Sequence, residues 1–572
     1  VNYQPKKNSP DSPNSRLKMN PNPKQHPMKT ILTFLLVAAS LLHGHAADST
    51  DRSAASKQPN ILLLFADDLG RYASAYADPK KPSPNDIIST PAFDRVAKEG
   101  ALFQNAFVSV PSCTPSRAAL NTGRHFFRNA SHSQLHHRWQ KGVPDPFDKI
   151  KGMPVTLQEG GYHIGLTYKL HMRASIIGGK ENIYDKAGGS LNQYSQFVTK
   201  AKDKDAAKKT ILDQVRGNFL NFLAKRKPGQ PFFYSFNPTN THRKWTRGSG
   251  KALWGLDPDE LKGKLPPALP DTDVIREDMA DYLGEAMAFD AACTVLIAEL
   301  EKLGELDNTI VVISGDHGAP GFPRGKCNMH DFGSRVLLAI RWPKHIAPGR
   351  DVNRPVSLID LAPTFLAAAG LKSQDDPNGQ NLLPGIAPGS NDSKLRPWVL
   401  IGREVHVGTA RKGNLPYPIR AIRTTNHLYV INFKPDRWPM GDPFAIQTDS
   451  APSFDKLAND TYAGFRDIDA SPTKAWIVEH RNDESIARFL DFAWNKRPAE
   501  ELYDLSKDPF QMNNLAGNPE YETVRKNLRA ELMGELKANK DPRLTNDAFD
   551  SPPYNATKTR RKNSKSQTPN SK

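Results

Sequence analysis

The sequence predicts an α/β fold: a large central sheet, mostly parallel or mixed, flanked by helices, followed by a smaller C-terminal subdomain with a short antiparallel sheet and a helix. Three observations predict it. Continuous apolar runs of strand length recur through the first part of the chain, as strands buried on both faces require. Helical patterns alternate with them, which is the signature of a doubly wound sheet. Polar residues able to hold metals or protons follow the carboxyl ends of four of these runs, the place where open α/β sheets gather ligands.

The first run, Pro59 to Ala66, stops at the paired acids Asp67 and Asp68. Tyr162 to Thr167 ends just before Lys169 and His171, and Pro231 to Phe236 ends before His242. Thr309 to Ser314 ends at Gly315-Asp316-His317-Gly318. Helical spacing covers Thr90 to Gly100, Lys208 to Ala224 and Met279 to Leu303, the last closing on Gly304 as a C-terminal cap should. A connector rich in Pro, Gly, Asn and Ser spans about 373–397. Beyond it, Trp398 to Gly402, Ile419 to Arg423 and His427 to Phe433 read as antiparallel strands, and Tyr521 to Ala538 as a helix.

The expected organisation is therefore a foreign-looking extension at 1–27, a signal peptide at 28–47, a catalytic domain at 58–385, a C-terminal subdomain at 396–540 and a basic disordered tail at 541–572. The signal peptide rests on Lys29 ahead of an apolar run, Ile31 to Leu42, with a small-residue exit near Ala46. Translation is expected to begin at Met28. The run is too short to span a bilayer, so the expected product is exported, periplasmic or secreted, with no integral membrane segment in the mature chain. The formal charge of +17 sits mostly in the two ends, roughly +5 before Asp48 and roughly +6 after Thr557, which favours solvated ends over a nucleic-acid surface.

Only three cysteines occur, Cys113, Cys293 and Cys327. An odd number excludes a full disulfide framework in an exported chain. Cys293 has a helical core spacing, and a Cys113–Cys327 bridge is one alternative for the other two. Cys113-Thr-Pro-Ser-Arg117 puts a thiol beside a helix start, with Pro115 in the first turn. Adjacent acids stay ionised only when cations or donors offset them, so Asp67, Asp68 and Asp316 with His317 suggest a divalent ion. Carboxylates point to calcium or magnesium, whereas the imidazole better suits zinc or manganese. Arg117, Lys169, His171, His242 and Lys326 would complete a pocket for a tetrahedral oxyanion. A thiolate beside a hard cation is a poor match, and an oxygen-bearing modified side chain fits better.

Cys113-Thr-Pro-Ser-Arg117, completed by Thr122-Gly123-Arg124, resembles the signature of the type I, formylglycine-dependent sulfatases of the alkaline phosphatase-like superfamily. The resemblance extends over roughly 58–538 and includes Glu501 to Pro509, which is similar to the family's C-terminal strand. It implies that Cys113 is oxidised to Cα-formylglycine by a formylglycine-generating or radical maturing enzyme, and that one calcium ion is held by Asp67, Asp68, Asp316, His317 and modified Cys113. It further implies that the hydrated aldehyde attacks sulfur with help from Asp316, and that His242 protonates the leaving group. Lys169 and Lys326 would offset sulfuryl charge, Arg117 would hold the diol, and His171 would take the proton that expels sulfate. The fourth metal position is often asparagine in the family; His317 stands there in this chain.

The local resemblance is to the heparan N-sulfatase-type branch, on Asp145 to Ile150, Gly321 to Asn328, and Gly402 to His406 leading into Tyr417 to Arg420. The expected substrate is a sulfated oligo- or polysaccharide, carrying either an N-sulfated amino sugar or an O-sulfated sugar. Arg243, Arg403 and His406, with the loop at His136 and His137, are the candidate substrate contacts. Phosphonate or phosphate ester hydrolysis on the same fold is the alternative activity.

Overall fold

The structure, a computed structural model, describes residues 58–172, 189–447 and 451–555. The expected extension, the signal peptide and the last part of the basic tail lie outside the described residues. Seven strands form the central sheet: β1 (Asn60–Ala66), β2 (Ala101–Phe103), β4 (His163–Tyr168), β5 (Phe232–Asn237), β6 (Thr309–Gly315), β8 (Leu338–Arg341) and β9 (Arg350–Val352). Three two-residue strands, β3 (Ala106–Phe107), β7 (Arg335–Val336) and β10 (Val356–Ser357), make a small separate sheet. The central order is β4-β5-β1-β6-β8-β2-β9. The first four of these are mutually parallel, while β8 runs antiparallel to both β6 and β2. The sheet is thus mixed, and its parallel half carries every strand end singled out above.

The sequence of β1 explains its central position. All seven residues are buried, and they alternate between two cores. Leu62, Leu64 and Ala66 pack against the helices Lys204–Ala224 and Asp273–Lys302 on one face. Ile61, Leu63 and Phe65 pack against Met153–Glu159 and Leu361–Ala368 on the other. An apolar side chain at every position is what a strand covered on both sides demands. Each such residue contributes about 1.5–3 kcal/mol of burial. Backbone crowding fixes the glycine at the end of β6: a Cβ on Gly315 would lie 1.9 Å from the Leu69 carbonyl oxygen, so the β1 and β6 ends can meet only with glycine there.

The second sheet is antiparallel, β11 (Trp398–Arg403), β12 (Ile419–Thr424), β13 (His427–Asn432) and β14 (Glu500–Asp504). The Glu522–Ala538 helix covers one face through Leu532 and Leu536. Between β13 and β14 the chain inserts the helices Phe454–Asn459, Pro472–Glu479 and Ala487–Ala493, which the sequence pattern did not mark. Both sheets belong to one compact unit. The tail expected to be disordered from 541 is packed through residue 555. Asp541 pairs with Arg420 at 2.6 Å, Arg543 pairs with Glu404, and Phe549 is fully buried. No helix among the described residues is long and apolar enough to cross a membrane.

The long helix Asp273–Lys302 carries Asp290, whose carboxylate accepts the backbone N–H groups of Ala92 and Phe93 at 3.0 and 2.9 Å, at the start of the Pro91–Glu99 helix. Burial pushes the Asp290 carboxyl up to about 7. A raised carboxyl stabilises the fold while protonated, so its contribution is complete below about pH 4 and is lost as pH rises through about 7. Asp290→Asn removes that titration. The stability gap between the native protein and this variant is expected to narrow by about 2 kcal/mol between pH 5 and pH 8, measured by denaturant unfolding. A gap that widens over that range would contradict the assignment.

Candidate active site

Three parallel strand ends deliver the charged groups to one place. Asp67 and Asp68 follow β1, Lys169 follows β4, and Asp316 and His317 follow β6. Arg117 enters from the side, on the Cys113–Thr122 helix, all ten residues of which are buried. Its Nε donates to Asp316 Oδ2 at 2.9 Å, and its terminal nitrogens donate to Asp67 Oδ1 and Asn237 Oδ1, each at 3.2 Å. Lys169 Nζ reaches both oxygens of Asp67 at 2.7 and 2.6 Å, and Lys326 Nζ reaches Asp68 Oδ2 at 2.8 Å. All three carboxylates are completely buried.

The electrostatics follow from these pairs. Burial would raise the Asp67 and Asp68 carboxyls, but Lys169 and Arg117 beside Asp67, and Lys326 beside Asp68, hold both below the ordinary carboxylate range. Asp316 goes the other way, raised by burial despite His317 and Arg117. One backbone and one side-chain donor fix the orientation: Asp68 N–H donates to Asp316 Oδ1 at 2.7 Å, and the Ser116 hydroxyl donates to the Asp316 carbonyl at 2.7 Å. Asp68 sits at φ 57°, Tyr168 at 64° and His171 at 53°, left-handed conformations that non-glycine residues adopt only where the surroundings enforce them.

Cys113 opens its helix and is buried, with Sγ 3.3 Å from His317 Nε2 and 3.7 Å from Asp68 Oδ1. Burial raises its thiol well above the ordinary range, although Lys169 and Lys326 oppose this. The group therefore stays protonated and is a weak sulfur nucleophile. All three cysteines are free and buried, which excludes the Cys113–Cys327 bridge. Cys293 lies in the core against the long helix's neighbours, as its spacing indicated.

Metal-competent atoms converge here. Ligand atoms of Asp68, Cys113 and His317 lie within 4.8 Å of one another, and the same holds for Asp67, Cys113 and Asp316 and for Asp67, Asp68 and His242. The donor set fits a hard divalent ion, since three carboxylates meet one imidazole in a fully buried cluster. With Asp469 beside Lys326, four carboxylates face Arg117, Lys169 and Lys326, so a bound dication would leave a surplus of about one positive charge for an anionic group.

Around this centre stand the imidazoles. His242 Nε2 lies 3.9 Å from Asp68 Oδ2 and is about a third exposed (35%), open to whatever approaches from solvent. His171 Nε2 lies 3.4 Å from His136 Nδ1, and burial together with Lys169 pulls its pKa down to about 2, so it is neutral. His406 is buried, shares a 2.8 Å hydrogen bond with Ser112 Oγ, and is pulled down to about 3 by burial and Lys326. It braces the residue preceding Cys113 from behind. The side chain of His137 lies outside the described residues.

Two expected substrate contacts are otherwise employed. Arg243 forms a two-pronged ion pair with Asp278 at 2.8 and 2.9 Å and donates to the Pro320 carbonyl at 2.9 Å. Arg403 is almost wholly buried, donating to the Pro439 carbonyl at 2.5 Å and lying 3.9 Å from Asp467. Arg243 has its donors committed inside the protein and Arg403 is 1% exposed, so the structure turns both inward, away from an approaching substrate. Sequence reasoning also missed several participants. Asp469, from the helical insertion, lies 3.3 Å from Lys326 Nζ and, with Asp68, raises that lysine's pKa against its burial. Thr241 donates to the Asp67 carbonyl, and Tyr282 to the Asp68 carbonyl at 2.8 Å. The Asn240-Thr241-His242 run offered a signal for Thr241; nothing in the sequence around Asp469 did.

The chain is similar to known proteins in sequence and fold. The family model described as Sulfatase matches residues 59–371. Human N-sulphoglucosamine sulphohydrolase is 29% identical over 515 residues, covering 84% of this chain and 91% of that protein. An ulvan-active sulfatase of Formosa agariphila is 26% identical, covering 84% of this chain and 75% of that protein. A structure solved in complex with its substrate, D-glucosamine-2-N,6-O-disulfate, superposes with a TM-score of 0.55 at 19% identity, covering 85% of this chain and 99% of its own; it shares the fold.

Arg117 bridges two carboxylates that have no access to water. Arg117→Gln is expected to destabilise the metal-free protein by about 3 kcal/mol or more, because it leaves buried charge uncompensated. Chemical denaturation measures this, and a loss below about 1 kcal/mol would show that the network does not hold in solution.

Proposed function

The chain belongs to the sulfatase family, and as a member it is a sulfuric ester hydrolase; we propose that it releases inorganic sulfate from sulfated saccharides, with N-sulfated glucosamine the first substrate class to test. The observation that carries this reading is the convergence of Cys113, at the start of a buried helix, with Asp67, Asp68, Asp316 and His317 between half-buried Lys169 and buried Lys326. The names of the two relatives, one acting on an N-sulfated amino sugar and the other on ulvan, support a saccharide and leave the position of the sulfate to experiment. Export to the periplasm or beyond is proposed from the 28–47 stretch alone.

Asp67, Asp68, Asp316 and His317 would hold one calcium ion. A formylglycine at position 113, made by a maturing enzyme, and the ion beside it would supply an oxygen nucleophile and the positive charge to hold it. The remaining work belongs to ordinary side chains. Lys169 and Lys326 carry positive charge at the mouth of the carboxylate cluster, where the oxygens of a sulfuryl group need it. Arg117 orients Asp67 and Asp316 and helps hold Asp67 ionised. His242, open to solvent, would protonate the departing sugar oxygen or nitrogen. Neutral His171 would accept the proton whose removal frees sulfate, a task that a protonated imidazole could not perform.

Three measurements test this. Peptide mass analysis of active protein should find the Cys113 side chain converted to an aldehyde; unaltered thiol in fully active material would defeat the proposal. Cys113→Ser should retain substrate binding and lose sustained turnover by at least about a thousandfold, since a serine ester cannot eliminate sulfate. Chelation should abolish sulfate release and calcium should restore it, whereas full activity in metal-free protein would exclude the ion. Sulfate release is to be screened on N-sulfated glucosamine, O-sulfated glycosaminoglycan units and ulvan fragments, with a phosphonate monoester as the control for the alternative chemistry.

A further inference from the structure

A separate cleft lies away from these residues. It encloses about 650 Å³ and is lined by the segment after β1, by residues 331–335 and by the loop carrying Phe510. None of the groups assigned above lines it.

Its lining carries four basic side chains, Arg71, Lys81, Lys264 and Arg335, against two carboxylates, Asp78 and Asp331. Arg71 stacks on the Tyr76 ring, with Cζ 3.8 Å from the ring centroid, and donates to the Gln104 side chain at 2.5 Å. Its Nε is buried without a hydrogen-bond partner, and among the described residues it has no carboxylate within ion-pair distance. Arg335 donates to the Gln104 carbonyl at 2.9 Å and reaches Asp331 only at 3.4 Å. That aspartate is already engaged by Arg423 through two hydrogen bonds of 3.0 Å. Burial, with Arg71 and Arg423 nearby, drags the Arg335 guanidinium down to about 9, which is the cost of positive charge gathered without counter-charge. Lys264 stands on the wall of the same cleft. The other lining groups include the amides of Gln104 and Asn353 and the ring of Phe510, which is 51% exposed.

Guanidinium groups recognise planar or tetrahedral oxyanions. Side-chain amides pair with hydroxyl groups, and an exposed aromatic ring offers an apolar face to the C–H side of a pyranose. We propose that this cleft is a second, non-catalytic binding site for an anionic sugar residue, one bearing a sulfate or a carboxylate. It would retain polymer at the protein whether or not Cys113 is modified, so it stands independently of the reaction assigned above.

The test uses the full chain carrying Cys113→Ser, titrated calorimetrically with a heparin-derived hexasaccharide. Arg71→Gln and Phe510→Ala, each added to that background, should weaken hexasaccharide binding by about fivefold or more. The same two substitutions in the otherwise native enzyme should leave turnover of a monosaccharide sulfate unchanged. An unsulfated uronate oligosaccharide serves as the second probe. Binding of this probe that Arg71→Gln abolishes identifies a carboxylate as the recognised group, and binding confined to the sulfated probe identifies a sulfate. Phe510 is exposed, so its variant tests the site even if Arg71→Gln fails to fold, and thermal melting establishes folding in each case. Hexasaccharide affinity within twofold of the parent in the folded variants overturns the proposal. A parallel loss of monosaccharide turnover overturns it too, by assigning these residues to the catalytic centre.

Discussion

Three carboxylates buried at the ends of two parallel strands are the constraint on which the rest of the molecule depends. Asp67, Asp68 and Asp316 have no access to water, and taking a carboxylate out of water costs several kcal/mol unless charge and donors replace its hydration. The chain meets that cost with Arg117, Lys169 and Lys326, each drawn from a different element. Such a network contributes little net stability, because desolvation cancels most of the attraction. What it supplies is geometry. Six charges that must be mutually satisfied leave one arrangement of β1, β4, β6 and the Cys113 helix, and that arrangement is the site.

The same constraint explains why so much of the site could be read from the sequence. Asp67, Lys169, His242 and Asp316 stand just beyond apolar runs, and a parallel sheet brings consecutive strand ends to one edge. The strand order β4-β5-β1-β6 places all four beside one another. Periodicity served less well where burial is one-sided or elements are short. β2 and β8 have three and four residues and carry no pattern long enough to separate from loop. Their antiparallel pairing with each other and with β6 is what makes the sheet mixed, as expected, while its other half stays parallel.

Misread residues share a cause as well. Arg243 and Arg403 follow motif-like stretches and carry charge, so the sequence places them at a binding surface. Their partners, Asp278 and the segment 438–467, lie 35 or more positions away, and no local signal announces a long-range ion pair. Asp469 is the converse. It comes from a helical insertion with no motif, yet it closes the charge balance around Lys326. The packed segment 541–555 belongs with these: Asp541 and Arg543 are held by Arg420 and Glu404 on the second sheet, and composition alone reads such a polar stretch as solvated.

Burial also decides when position 113 can be chemically altered. Cys113 is 2% exposed, and every residue of its helix is buried between the central sheet and the second one. A maturing enzyme must place its own reactive groups within bonding distance of the sulfur, and a side chain only 2% exposed leaves a second protein little room to do so. The proposed oxidation therefore has to precede formation of the ion network, while the segment around Cys113 is still extended. Folding then encloses the modified side chain beside Asp68 and His317. On this ordering the charge network has a second consequence besides geometry: once formed, it shields position 113 from further enzymatic processing.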